Sequence, residues 1–123
     1  MLLSTTRRDG RRRFPRLELA LATPLRDLTM GHVLELVDIS VGGCRTQSAV
    51  PIEPGSVHRF QTEVSGELVS LVGTVVHCRG VMDQRGPFTV GWQWQDDALT
   101  VRSVAKLIDH VTSVAAYVPE VSA

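Results

Sequence analysis

At 123 residues, 43% of them hydrophobic and 21% charged, the chain has the makeup of one ordinary globular domain that needs no staple to hold it. Two cysteines, Cys44 and Cys78, are too few and too far apart for a disulfide framework or a zinc site, and no apolar run approaches the roughly 20 residues of a membrane-spanning helix. The net charge is zero but unevenly laid out: six arginines and one aspartate give residues 1–16 a charge of +5, and residues 17–123 carry −5.

Both cysteines are expected to be reduced and partly buried. The opening MLLSTTRR sets a short apolar stretch ahead of its charges, the wrong order and length for a secretory signal, so the cytoplasm is the expected compartment. His32, His58, His77 and His110 show no metal-ligand spacing, and no metal or cofactor is indicated.

Residues 1–16 read as a flexible Arg-rich arm. Gly10 interrupts it, and Pro15 pushes Phe14 toward an extended conformation. From Leu17 the pattern changes: Leu17, Leu19 and Leu21 alternate with Glu18 and Ala20, the period of a half-buried strand that Thr23-Pro24 weakens or ends. His32 to Ile39 is a second strand, closed by Gly42-Gly43, and Cys44 to Ser48 a third.

Pro51, Pro54 and Gly55 then break the chain. Val57 to Val64 and Leu68 to Cys78 are strands joined by a Ser65-Gly66 hairpin turn, with Gly73 read as a bulge or bend. A loop through Gly80 to Pro87, with Asp83 and Gly86 as turn formers, leads to the last strand, Phe88 to Trp94. Trp92 and Trp94 share a face with Val90 and read as core.

Leu99, Val101, Val104, Ala105, Ile108, Val111, Val114 and Ala115 then recur at helical spacing behind Asp96 and Asp97, either of which can cap the element. The helix is expected over about 96–117, ending before Pro119, with 119–123 as a tail. Strands followed by one helix give an all-β chain with a C-terminal α-helix: a small antiparallel barrel over 17–118 whose open end or flank the helix covers.

Arg12 and Arg16 in RRRFPR, Asp38-x-Ser40-x-x-Gly43 at the end of the second strand, the Pro54-Gly55 turn and Val90-Gly91 together resemble the PilZ domain over residues 7–115. The resemblance implies a six-stranded antiparallel PilZ-type barrel, a bacterial source and reversible binding of cyclic di-GMP. It also implies a ligand site made of Arg11, Arg12, Arg16, Asp38, Ser40 and Gly43. An Arg at position 11 is associated in that family with two stacked, intercalated ligand molecules.

The residue chemistry suits such a ligand. A guanidinium forks onto guanine O6 and N7 or onto phosphate oxygens. Asp38 can accept from guanine N1 and N2 hydrogens, Ser40 can bond a base or phosphate, and Gly43 can leave room where a side chain would collide.

Function then reads as a cyclic di-GMP receptor whose arm closes on binding and signals to an unidentified effector protein in motility or biofilm regulation. One alternative is a nucleotide-independent adaptor in pilus or motility assembly. A single-stranded nucleic-acid-binding barrel, using the arm as a backbone clamp, ranks below both.

No enzyme is expected, because no Ser, His and acid form a recognisable local pattern; an approach of His58 or His110 to an acid in space stays open. An apolar helix stripe longer than a small barrel can cover would favour a homo-oligomer.

Overall fold

The computed structural model describes residues 16–80 and 87–122, with backbone alone at 20–22 and 114–122. Alternation of apolar and polar residues yields six strands, β1 (Leu17–Asp27), β2 (His32–Ile39), β3 (Gly43–Ser48), β4 (Val57–Val64), β5 (Glu67–Arg79) and β6 (Phe88–Trp94). One helix, α1 (Ala98–Ser122), follows.

The strands close into a barrel in the order β1-β2-β3-β6-β5-β4, all pairs antiparallel. Closure depends on a short ladder, Arg26↔Gln61 and Asp27↔Phe60, between β1 and β4. The expected six-stranded barrel with one C-terminal helix is therefore the fold.

The core fills the barrel. In β4 every second residue, His58, Phe60, Thr62 and Val64, points inward. Phe60 meets Trp92 edge to face with centroids 4.7 Å apart, and Leu25, Leu34, Leu36, Ile39, Leu71 and Val90 pack around them with 0–2% exposure. Both indoles are buried with their N–H groups bonded, Trp92 Nε1 donating to Thr46 Oγ1 (2.9 Å) and Trp94 Nε1 to the Ser40 carbonyl (3.2 Å). The reading of both tryptophans as core holds.

Asp97 caps α1, its Oδ1 accepting from the Thr100 amide at 2.8 Å. Thr100, Ser103, Val104, Leu107 and Val111 are buried, one helical face laid against β1, β4 and β5. Among the described residues, no helix is long and apolar enough to cross a membrane.

Three features differ from the sequence expectation. β1 runs through Thr23-Pro24 to Asp27, and its disturbance lies upstream, as a register shift between Glu18 and Thr23. Pro24 is tolerated there because its main chain faces β4, where its carbonyl accepts from Thr62 Oγ1 (3.0 Å) and the ladder begins only at Arg26, so no ladder amide is needed at this position.

Gly73 sits in regular register opposite His58 and Trp94. The bulge of β5 comes later, between Val75 and His77, and a Cβ at Gly73 would come no closer than 3.4 Å to Phe60 and the Gln93 carbonyl, an ordinary contact. The backbone of α1 continues past Tyr117 and Pro119 to Ser122; a proline removes one helical hydrogen bond and strains one turn without having to end the helix. Asp83 and Gly86 of the β5–β6 loop lie outside the described residues.

Candidate functional site

Register places the chemistry. Glu18 on β1 pairs with Asp38 on β2, Asp38 with Arg45 on β3, Arg45 with Gly91 on β6, and Gly91 with His77 on β5. Paired residues share a face, so a single row crosses five strands on the outside of the barrel. The flanking residues Ile39, Cys44, Val90 and Trp92 face inward.

Register shifts border this row in β1 (Glu18/Thr23), β2 (Leu36/Asp38) and β5 (Val75/His77). Each re-aims the side chains that follow it, as bulges do beside binding sites.

Asp38 is fully buried although it points outward, because arginines roof it. Arg45 Nε donates to its Oδ2 at 2.6 Å with the same guanidinium's Nη2 on that oxygen, and Arg16 Nη1 stands 3.6 Å away. Asp38 Oδ1 is buried with no hydrogen-bond partner. One carboxylate oxygen is thus saturated by two half-exposed cations, and the other is an unused acceptor beneath them.

Ser40 belongs to the turn after β2. Its amide donates to the Gly43 carbonyl (2.8 Å), and its hydroxyl makes only long contacts, to the Gly42 amide (3.3 Å) and the Gly43 carbonyl (3.4 Å). Gly43 has a structural reason to be glycine: a Cβ there would land on the Trp92 carbonyl oxygen of the neighbouring strand. The clearance at Gly43 is filled by β6, not held open.

Beyond Arg45 the row reaches Gly91 and His77. A Cβ at Gly91 would overlap the His77 ring at Nε2, so the imidazole lies across the glycine, and its Nδ1 is buried without a partner. Arg79, two residues on along β5, shares the His77 face. Burial, followed by the positive fields of Arg79, Arg16 and Arg45, holds His77 below the usual histidine range.

Inside the barrel wall, burial and the Asp38 carboxylate push the Cys44 thiol well up against a lesser opposing pull from Arg16, which suits a core cysteine and not a nucleophile. Both cysteines are free, Cys44 buried and Cys78 half-buried.

The structure therefore brings Arg16 to Asp38 and sets Ser40 and Gly43 in the adjoining turn. Arg11 and Arg12 lie outside the described residues. Sequence reasoning missed Arg45, His77 and Arg79, which belong to no motif; only the β3–β6–β5 register, fixed by bulges, makes them neighbours of Asp38.

A second polar cluster lies on the barrel rim, where His58 makes the approach to an acid that the sequence left open. Asp27 accepts from the Thr29 and Met30 amides (2.9 and 3.1 Å) and from His58 Nδ1 (2.7 Å), while His58 Nε2 meets Ser56 Oγ at 2.9 Å. The order Ser, His, Asp is that of a hydrolytic triad. The Ser56 hydroxyl, however, donates to the Glu53 carbonyl at 2.6 Å, directing its proton away from the imidazole. The Gly55 and Ser56 amides are spent on the Val75 and Glu53 carbonyls, so neither is free to hold an oxyanion. The cluster ties the β1–β2 turn to the start of β4.

A family model, the PilZ domain, matches residues 10–113. The chain belongs to the PilZ domain family. Solved PilZ structures resemble this one in fold: the "PilZ domain with c-di-GMP of YcgR from Escherichia coli" has a TM-score of 0.66 at 16% identity, over 89% of this chain and 98% of that one. The "K. pneumonia MrkH-c-di-GMP complex" has a TM-score of 0.65 at 17% identity, over 86% and 54%. The Bacillus subtilis "Inhibitor of motility (MotI/DgrA)" has 0.63 at 13%, over 85% and 51%. This PilZ chain thus spans about half of MrkH and MotI. No curated protein matches it.

Proposed function

We propose that this PilZ domain is a cyclic di-GMP receptor. The observation that carries the reading is Asp38, a fully buried carboxylate with one oxygen unpartnered under a roof of partly exposed arginines. Such an acceptor is costly unless something donates to it, and a guanine edge offers adjacent N1 and N2 hydrogens. Arg16 and Arg45 swing from the carboxylate to guanine O6 and N7 or to a phosphate.

Ser40, held by contacts near the limit of hydrogen bonding, exchanges its local partners for the ligand. Arg12 joins Arg16, and Arg11 directs a second, intercalated ligand molecule. Gly43 contributes by letting the turn run tight against β6. Two relatives of this fold, from Escherichia coli and K. pneumonia, are described as complexes with c-di-GMP.

Ligand closing the arm over the barrel would reshape the surface presented to an effector protein in the cytoplasm, where a nucleotide second messenger acts. Calorimetric titration with cyclic di-GMP, beside GTP and cyclic GMP, tests ligand and stoichiometry together. Binding of cyclic di-GMP alone, near two molecules per chain, is the expected result. A flat trace with all three leaves the nucleotide-independent adaptor.

A further inference from the structure

We infer that His77 is part of the ligand site and that the domain takes up a proton at this imidazole when it binds its anionic ligand. The inference rests on the receptor reading and goes beyond it, because it makes ligand affinity depend on pH.

The geometry comes first. The β5 bulge between Val75 and His77 turns the ring onto the outer face, and the absence of a side chain at Gly91 gives it a place to lie. The row then leads directly from His77 across Gly91 to Arg45 and Asp38. Nδ1 is buried and bonded to nothing. A ring nitrogen in that condition is satisfied by a group arriving from outside, and a phosphate oxygen drawn to Arg16, Arg45 and Arg79 is of the right chemistry.

The groups around His77 decide the direction of the proton. Its own strand contributes Arg79, the segment entering β1 contributes Arg16, and β3 contributes Arg45. β6 lays the Gly91 backbone beneath the ring. The nearest carboxylate in the row, Asp38, lies beyond Arg45 and is already engaged by it, and Glu18 is one strand further.

In the free protein the field on His77 is thus positive, and with burial it favours the neutral ring. Phosphodiester charges brought among the three arginines cancel that field and supply an acceptor for an N–H. Both changes favour the imidazolium. The ligand itself neither gains nor loses protons between about pH 5.5 and 8, where histidine titrates.

The sign follows. Complex formation raises the His77 pKa, so protons are bound on association, and affinity rises as pH falls through the bound-state value toward the free-state value. The limiting slope is about tenfold per pH unit.

The test is calorimetry of the whole chain with cyclic di-GMP near pH 7 in two buffers of different ionisation heat, which counts protons directly, for the wild type and His77→Gln. Net uptake in the wild type that vanishes in the variant is the expected result. The imidazole resonance of His77, followed by NMR against pH with and without ligand, gives an independent reading should the variant fold or bind poorly; the midpoint should be higher in the complex. Tight binding with no uptake, uptake that survives in His77→Gln, or one midpoint for both states would overturn the inference and leave the receptor reading standing. No binding of cyclic di-GMP at any pH overturns both.

Discussion

Asp27 and Asp38 are equally buried, at 0% exposure, on neighbouring strands of the same barrel. Their partners differ. Both oxygens of Asp27 are bonded, by two amides of the turn that follows it and by an imidazole packed 5.1 Å from the Trp92 ring. Asp38 has one oxygen crowded by arginines that are 31% and 37% exposed, and one with nothing. A closed set of local partners marks a carboxylate that holds the fold together. An open set, completed by long side chains that can leave, marks one that can receive a ligand.

The sharpest way to break that comparison is at Asp27. Asp27→Ala removes the acceptor of two turn amides and the partner of His58, and taking one member from a buried pair costs about 3–5 kcal/mol. The midpoint of urea unfolding should fall accordingly. Affinity for cyclic di-GMP, measured where the variant is folded, should stay at the wild-type value. An Asp27→Ala protein of normal stability would mean the rim cluster is not structural.

Arg16→Ala is the converse. It strips one guanidinium from the roof of Asp38, which Arg45 still covers, so stability should move by no more than about 1 kcal/mol. Loss of a forked contact to guanine or phosphate weakens binding by about 1–3 kcal/mol, roughly ten- to hundredfold. Equal losses of stability and affinity in this variant would place Asp38 in the same class as Asp27.

Gly43 separates two reasons for a motif residue. Gly43→Ala drives a methyl into the Trp92 carbonyl oxygen, main chain that cannot rotate away. Parting β3 from β6 should cost about 1–3 kcal/mol, seen in thermal unfolding without any ligand present. A ligand-clearance role alone would leave the unliganded protein unaffected.

Much of the barrel was legible because its determinants are local. Period-two alternation marked the strands, Ser65-Gly66, both at positive φ, marked the hairpin, and the switch to helical spacing behind Asp97 marked α1. Asp38, Ser40 and Arg16 were visible through motif spacing.

Arg45, His77 and Arg79 were not, since their meeting depends on bulges that change which face a strand presents, and a bulge is set by packing across strands. The Ser56–His58–Asp27 line was open on the side of His58 alone, and its acid was hidden for the same reason: Asp27 and His58 stand 31 residues apart and meet only where β1 and β4 close the barrel.

A third carboxylate, Asp97, gives the smallest effect and tests the rule from a different side, since it is well bonded yet not sealed from solvent. Its Oδ1 accepts from the Thr100 amide and its Oδ2 from the Thr100 hydroxyl and Gln95. The backbone bond from Thr100 is the main reason its pKa lies below the ordinary 3.8. A depressed folded-state pKa means stability that is fully present above the unfolded value, near pH 4, and is lost as pH falls through the lower folded value.

Asp97→Asn keeps an N-cap acceptor and removes the titration. Its melting temperature should lie slightly below the wild type at pH 6, and the gap should narrow as pH falls below about 4. Asp97→Ala should fall further at pH 6, because it loses the cap as well as the charge. If Asp97→Asn and wild type ran parallel as pH fell, the charge of the carboxylate would add nothing to stability, and if Asp97→Ala also matched them at pH 6, the cap would add nothing either. A full complement of hydrogen bonds would then be shown to stabilise a carboxylate here only where, as at Asp27, water is kept out.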